Sequence, residues 1–122
     1  MRIANELITA RGDTVRQALA KLDKTGAGVV LLVDDYGRLL RTVTDGDLRR
    51  LLLAGWTLDS ELQVLPERSS RTVPLGIDEG AALEIMTSEQ IDQLPVVDAE
   101  AVRSVCSSGG NWIVGYCFRR HI

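Results

Sequence analysis

The sequence predicts an α/β fold of the mixed α+β kind, made of two copies of one β-α-β-β-α unit, each with a small mixed sheet. Three observations carry this. The chain matches itself at an offset of 64 positions, apolar residues recur at helical spacing, and short valine-rich runs are bounded by turn residues. At that offset Gly12 falls on Gly76, Ala18 on Ala82, Leu19 on Leu83, Leu22 on Met86, Val30 on Leu94, Val33 on Val97 and Asp34 on Asp98.

In the first copy, Leu7 to Thr9 is a short opening strand. Asp13 or Thr14 caps a helix whose Val15, Ala18, Leu19 and Leu22 form one apolar face, and Gly26 and Gly28 end it. Val29 to Val33 is apolar throughout and β-branched at three of its positions, as a buried strand is. Asp34-Asp35-Tyr36-Gly37 is a turn rather than a carboxylate pair for a metal. Leu39 to Val43 is the next strand. Asp45 caps a second helix with Leu48, Leu51 and Leu52 facing inward, stopped by Gly55. Trp56 to Arg71 is the connector. In the second copy Thr72 to Pro74 is the opening strand, residues 79–89 a helix, and Gln93 to Val97 a strand. Pro95 has no N–H to donate, so it belongs near an edge or a strand start.

After Asp98 the expected pattern breaks. Ala99 to Asn111, with Ser107-Ser108-Gly109-Gly110, intervenes before the next strand, which is placed at Trp112 to Cys117, so the offset moves from 64 to 74, an insertion of ten residues. In that register Phe118 stands for Thr44 and His121 for Asp47, and the last helix is truncated. The expected repeats are residues 1–62, with connector, and 63–122.

Composition excludes several chemistries. The chain has 122 residues, 45% hydrophobic and 25% charged, with a formal net charge of −3. That balance disfavours nonspecific nucleic-acid binding, although Arg38, Arg41, Arg49 and Arg50 lie close together. His121 is the one histidine, too few for a histidine-based metal site. Cys106 and Cys117 are read as free thiols. No apolar run approaches ~20 residues, and no signal-like stretch opens the chain, so a cytoplasmic protein is expected. Trp56 and Trp112 are read as covering core or interface surface.

The segment from Gly28 to Leu40, followed by Thr42-Val43-Thr44-Asp45-Gly46-Asp47-Leu48-Arg49-Arg50, resembles a cystathionine-beta-synthase (CBS) motif, as does Ile91 to Asp98. The run Thr44 to Arg50, with Gly55 and Leu58-Asp59, looks more specifically like the CBS pair attached to sugar-phosphate nucleotidyltransferases. The resemblance implies a tandem CBS pair, or Bateman module, with pseudo-twofold symmetry. It implies a non-catalytic regulatory function, binding of an adenine nucleotide (AMP, ADP or ATP), control of an attached or partner enzyme such as a nucleotidyltransferase, and a homodimer. No metal or other cofactor is expected.

The implied ligand-binding set is Ile8, Thr9, Gly28, Val29, Val30, Thr44, Asp45, Asp47 and Arg50. Asp47 would accept hydrogen bonds from a ribose diol. Thr44 and the free N–H groups of the helix start would meet phosphate, with Arg49 or Arg50 supplying charge. The adenine would lie against Gly28 to Val30, with Ile8 and Thr9 beside it. Against this, carboxylates at Asp45 and Asp47 are ordinary for a helix N-terminus. The alternative is a structural dimerisation module with no functional ligand site. An enzyme using carboxylates alone is the third reading.

Overall fold

The computed structural model describes residues 7–26, 28–68, 71–74, 76–90, 93–98 and 101–107. They fall in two compact units, Asn5–Ser70 and a second that begins at Arg71.

In the first unit β1 (Ile8–Ala10), β2 (Val30–Val33) and β3 (Leu39–Val43) form a sheet in that order, with β1 parallel and β3 antiparallel to β2. Helices α1 (Val15–Thr25) and α2 (Asp45–Leu53) supply Val15, Ala18, Leu48 and Leu51 to a core with Val30, Leu32 and Val43 of the sheet. Thr14 begins α1 with a capping box: its side chain accepts from the Gln17 N–H at 3.1 Å, and Gln17 Oε1 accepts from the Thr14 N–H at 2.8 Å. Gly26, at φ 62°, ends the helix in the left-handed conformation that glycine adopts at little cost. The turn after β2 is held by Asp34, whose Oδ1 accepts from the N–H groups of Tyr36 (2.8 Å) and Arg38 (2.9 Å). Those bonds, the largest from Arg38, hold its carboxyl below the usual aspartate range. Asp34 is therefore a turn residue, as the sequence indicates.

The connector belongs structurally to the first unit. The free N–H groups at the start of α1 are satisfied from it: Val15 donates to the Ser60 carbonyl and Arg16 to that of Leu58, both at 2.9 Å. Leu58, Leu62, Val64 and Leu65 pack on the first core. The unit therefore continues past residue 62, where the sequence places the boundary, to Ser70. Leu51 is buried in this core, whereas Leu52, Leu53 and Trp56 are exposed.

The second unit repeats the order. β4 (Val73–Pro74), α3 (Glu79–Glu89), β5 (Gln93–Asp98) and β6 (Ala101–Ser107) give a sheet β4-β5-β6, again parallel then antiparallel. Val73, Ala82, Met86, Leu94 and Val96 form its core. Pro95 precedes the stretch where β4 pairs, which begins at Val96. Even the bulge repeats: the β2–β3 register shifts between Leu32 and Val33, and the β5–β6 register between Val96 and Val97.

The expected insertion of ten residues near 99–111 is corrected here. β6 lies inside that segment, pairing Asp98 with Ala101 and Val96 with Ser104. Because Leu32 pairs with Arg41, the repeat offset is 64 on β5 and 63 on β6. The physical reason is the economy of a hairpin: an antiparallel partner is reached most readily through a short connection. Counted along the sequence at an offset of 63, Ser107 rather than Phe118 falls on Thr44, and Gly110, outside the described residues, rather than His121 falls on Asp47. The strand expected at Trp112 to Cys117, Cys117 itself, Trp112 and the truncated helix lie outside the described residues.

Candidate functional site

The topology gathers one end of the first sheet. Because β3 runs antiparallel to β2, Val30 pairs with Val43, so the start of β2 lies beside the chain entering α2. Because β1 is parallel, Ile8 pairs with Leu31 at the same end. Gly28 and Val29 precede the paired residues, and Gly28 is exposed at φ 83°. Ile8, Gly28, Val29, Val30 and Thr44 are thus brought together by backbone pairing.

Their side chains are not equally available. Val30 is part of the core, and Val29 is buried. Thr9 is buried too, and its hydroxyl donates to Asp13 Oδ2 at 2.9 Å. Lys21 Nζ donates to the Ile8 carbonyl. Asp45 is exposed and ion-paired with Arg49 one turn along the helix.

At α2 the N-cap is Thr44, one residue before the expected Asp45. A reciprocal box forms: Asp47 N–H donates to Thr44 Oγ1 at 3.3 Å, and Thr44 N–H donates to Asp47 Oδ2 at 2.8 Å. A Thr-x-x-Asp pattern at a strand end encodes this box directly.

Asp47 has a second set of partners that sequence reasoning missed. Its Oδ2 pairs with Arg41 Nη2 at 3.1 Å, and the two side chains are 5% and 4% exposed. Oδ2 also accepts from Thr44 Oγ1 at 3.0 Å. Its Oδ1 pairs with Arg50 Nη2 at 3.1 Å and Arg68 Nη1 at 3.5 Å, from side chains that are 71% and 46% exposed. The two oxygens differ in environment. Oδ2 faces a buried cation and the helix cap, whereas Oδ1 faces two solvent-reaching guanidiniums.

Arg41 is fixed further by donating from Nε to the Thr42 carbonyl (3.0 Å) and from Nη1 to the Pro66 carbonyl (2.7 Å). Arg68 Nη2 donates to the Thr42 carbonyl at 3.2 Å. These bonds bind the connector to β3. Burial acts to raise the Asp47 pKa, but hydrogen bonds from Thr44 and Arg50 and the charge of Arg68 outweigh it, leaving the carboxyl below its usual range. Burial lowers the Arg41 pKa, with repulsion from Arg68 adding to it and Asp47 opposing it. An arginine remains charged through such a shift.

A buried cation facing a core could have been suspected from the sequence. Arg41 alternates with Val43 on the inward face of β3, and an inward charge requires a partner. Arg68 carries no such signal, since the connector has no periodicity. Among the described residues no group of histidine, cysteine and carboxylate side chains fits a metal ion, and no helix is long and apolar enough to cross a membrane.

Residues 5–54 match the family described as CBS domain. Those residues match one CBS domain, and the fold of the described residues is the CBS fold. Among curated proteins it is similar to arabinose 5-phosphate isomerase KdsD of Pseudomonas aeruginosa, 35% identical over 73% of this chain and 28% of that one. It is also similar to arabinose 5-phosphate isomerase GutQ of Escherichia coli O6:H1, 33% identical over 70% of this chain and 26% of that one. The chain therefore spans under a third of these relatives, which are isomerases rather than the nucleotidyltransferases suggested by the Thr44 to Arg50 run. Among solved structures, a putative acetoin utilization protein (AcuB) from Vibrio cholerae superposes with a TM-score of 0.79 at 18% identity, covering 89% of this chain and 82% of that one. CBSX2 in complex with AMP gives 0.71 at 21% identity, over 89% and 87%. PAE2072 from Pyrobaculum aerophilum complexed with AMP gives 0.69 at 22% identity, over 83% and 79%.

Proposed function

We propose that this chain is a nucleotide-sensing regulatory module that binds an adenine nucleotide at the α2 end of the first unit and acts on a sugar-phosphate isomerase. The single observation that carries the reading is the convergence at one sheet end of the start of β2, a helix N-terminus and a carboxylate ringed by guanidiniums. Such a constellation suits a flat base, which backbone edges recognise, joined to an anion. Two proteins of the same fold are described with AMP bound, which supports the ligand class. The similarity to arabinose 5-phosphate isomerases over about 70% of the chain supports an isomerase as the regulated enzyme, in place of a nucleotidyltransferase.

The binding set is Ile8, Gly28, Val29, Thr44, Asp47 and Arg50, with Arg68 added; Thr9, Val30 and Asp45 contribute backbone. The two units act as tandem CBS repeats with one nucleotide site per chain, because Gly110 stands in sequence register for Asp47. Two chains associate through the exposed Leu52, Leu53 and Trp56.

The structural reading, a module with no functional ligand site, is favoured by the saturation of Asp47, whose two oxygens already have donors within the chain. Isothermal titration with AMP, ADP and ATP decides between the two. Saturable binding at one site per chain is expected; no heat with any of the three would leave the structural reading.

A further inference from the structure

The connector is fastened to the first unit in two stages that differ in kind. Its earlier part is pinned by backbone and core. Leu62 N–H donates to the Asp13 carbonyl at 2.8 Å and Gln63 N–H to that of Arg11 at 3.1 Å, alongside the bonds that Val15 and Arg16 make to Ser60 and Leu58. Leu62 is fully buried. Beyond it Val64 and Leu65 are only partly buried, and residues 66–68 are exposed. Polar bonds hold that last stretch. Arg41 Nη1 donates to the Pro66 carbonyl at 2.7 Å. Arg68 reaches back with Nη2 to the Thr42 carbonyl at 3.2 Å and with Nη1 to Asp47 Oδ1 at 3.5 Å. Arg41 uses the same two acceptor groups, donating from Nε to the Thr42 carbonyl at 3.0 Å and pairing from Nη2 with Asp47 Oδ2 at 3.1 Å. Two guanidiniums, one on β3 and one on the connector, thus share one carbonyl and one carboxylate. Their charges repel, and the carboxylate between them offsets the repulsion. The same carboxylate is half of the α2 capping box.

We propose that residues 66–68 are a latch, held shut by the Asp47 carboxylate, which ties the N-terminal cap of α2 to the far end of the connector. The latch opens from its C-terminal side. Removing the Asp47 charge leaves Arg41 and Arg68 beside each other without the counter-charge they share. Arg68, 46% exposed, then turns out to solvent, whereas Arg41, 4% exposed, has no such freedom. Val64 and Leu65 loosen next, because little burial stands behind them. Leu62 stays, since its side chain is in the core and its N–H is bonded to Asp13. The start of α2 and the far end of the connector are thereby coupled, and whatever biases one biases the other. The inference needs no ligand and stands apart from the nucleotide reading.

The test is the backbone order parameter of the full chain from nuclear magnetic resonance relaxation, which reads motion within the folded state. Glu67 and Arg68 report the latch, Val64 and Leu65 its hinge side, and Val15, Arg16 and Leu62 the pinned part. Wild type is compared with Asp47→Asn, Arg68→Gln and Arg68→Lys. The latch predicts about 0.85 at all seven positions in wild type. In Asp47→Asn it predicts values below about 0.6 at positions 67 and 68, a smaller fall at Val64 and Leu65, and no change at the pinned three. Arg68→Gln frees positions 67 and 68, and Arg68→Lys, which keeps the charge, restores them toward wild type. If circular dichroism shows Asp47→Asn unfolded, the two Arg68 variants decide alone. Positions 67 and 68 already below about 0.6 in wild type, or still rigid in Arg68→Gln and in a folded Asp47→Asn, overturn the latch. Loosening that spreads equally to Val15, Arg16 and Leu62, or an Arg68→Lys protein as mobile as Arg68→Gln, overturns it too.

Discussion

Replacing Asp47 with alanine should damage the fold more than any other single change at this site. The substitution removes the partner of a buried cation, since the Arg41 side chain is 4% exposed. It also removes the carboxylate half of the α2 capping box. Breaking a buried pair by deleting one member typically costs about 3–5 kcal/mol. Arg41 keeps its bonds to the Thr42 and Pro66 carbonyls, which places the expected loss near the lower end. The cap contributes about 1 kcal/mol, and because the same oxygen serves both roles the two losses overlap rather than add. A net loss of about 3 kcal/mol is expected, a large part of the roughly 5–15 kcal/mol that holds a domain folded. Urea denaturation followed by circular dichroism measures it. Asp47→Asn should lose less, because its amide oxygen still accepts from Thr44. A folded Asp47→Ala protein within about 1 kcal/mol of wild type would refute the reasoning.

Four further outcomes are expected. The Asp47 carboxyl is held below its usual range, so its stabilisation is fully present above the unfolded-state value and is lost as pH falls through the folded-state value. Urea midpoints taken from pH 7 down to pH 3 should therefore fall for wild type below about pH 4, and fall less for Asp47→Asn; identical slopes would contradict the pairing. Gly37→Ala should cost about 1–2 kcal/mol, because the residue sits at φ 81° with open space around it, so only the backbone conformation is penalised. Thr14→Ala should cost about 1 kcal/mol through loss of its capping box and leave AMP affinity as it was. Light scattering should give a dimer for wild type and a monomer after Leu53→Glu/Trp56→Glu, because both side chains are exposed apolar surface; a wild-type monomer at micromolar concentration would refute the association.

Much of the fold was legible because its signals are local. The spacing of Val15 and Ala18, the β-branched start of β2 and the left-handed Gly26 each act over a few residues, and the structure places all of them as expected. The 64-residue offset was legible because two equivalent cores impose the same inward positions, down to the shared bulge. What failed was β6. Its Ala-Val-Arg-Ser-Val-Cys-Ser pattern is half polar, and the more apolar Trp112 to Cys117 drew the assignment away from the nearer hairpin partner. Choosing the cap at α2 required weighing Thr44 against Asp45, and the reciprocal bond to Asp47 favours the first. The site was only half legible. Thr44, Asp47 and Arg50 sit on one short run, whereas Arg41 and Arg68 join them through the β3 face and the folded connector.

The central claim is that an adenine nucleotide binds at the α2 end of the first unit. Nuclear magnetic resonance of the labelled chain titrated with AMP tests it residue by residue. The account predicts saturable shifts of the backbone amides of Gly28 to Val30 and of Thr44 to Leu48, together with the Arg50 and Arg68 side-chain signals. Shifts confined to residues 93–107, or none at AMP concentrations up to the millimolar range, would contradict it.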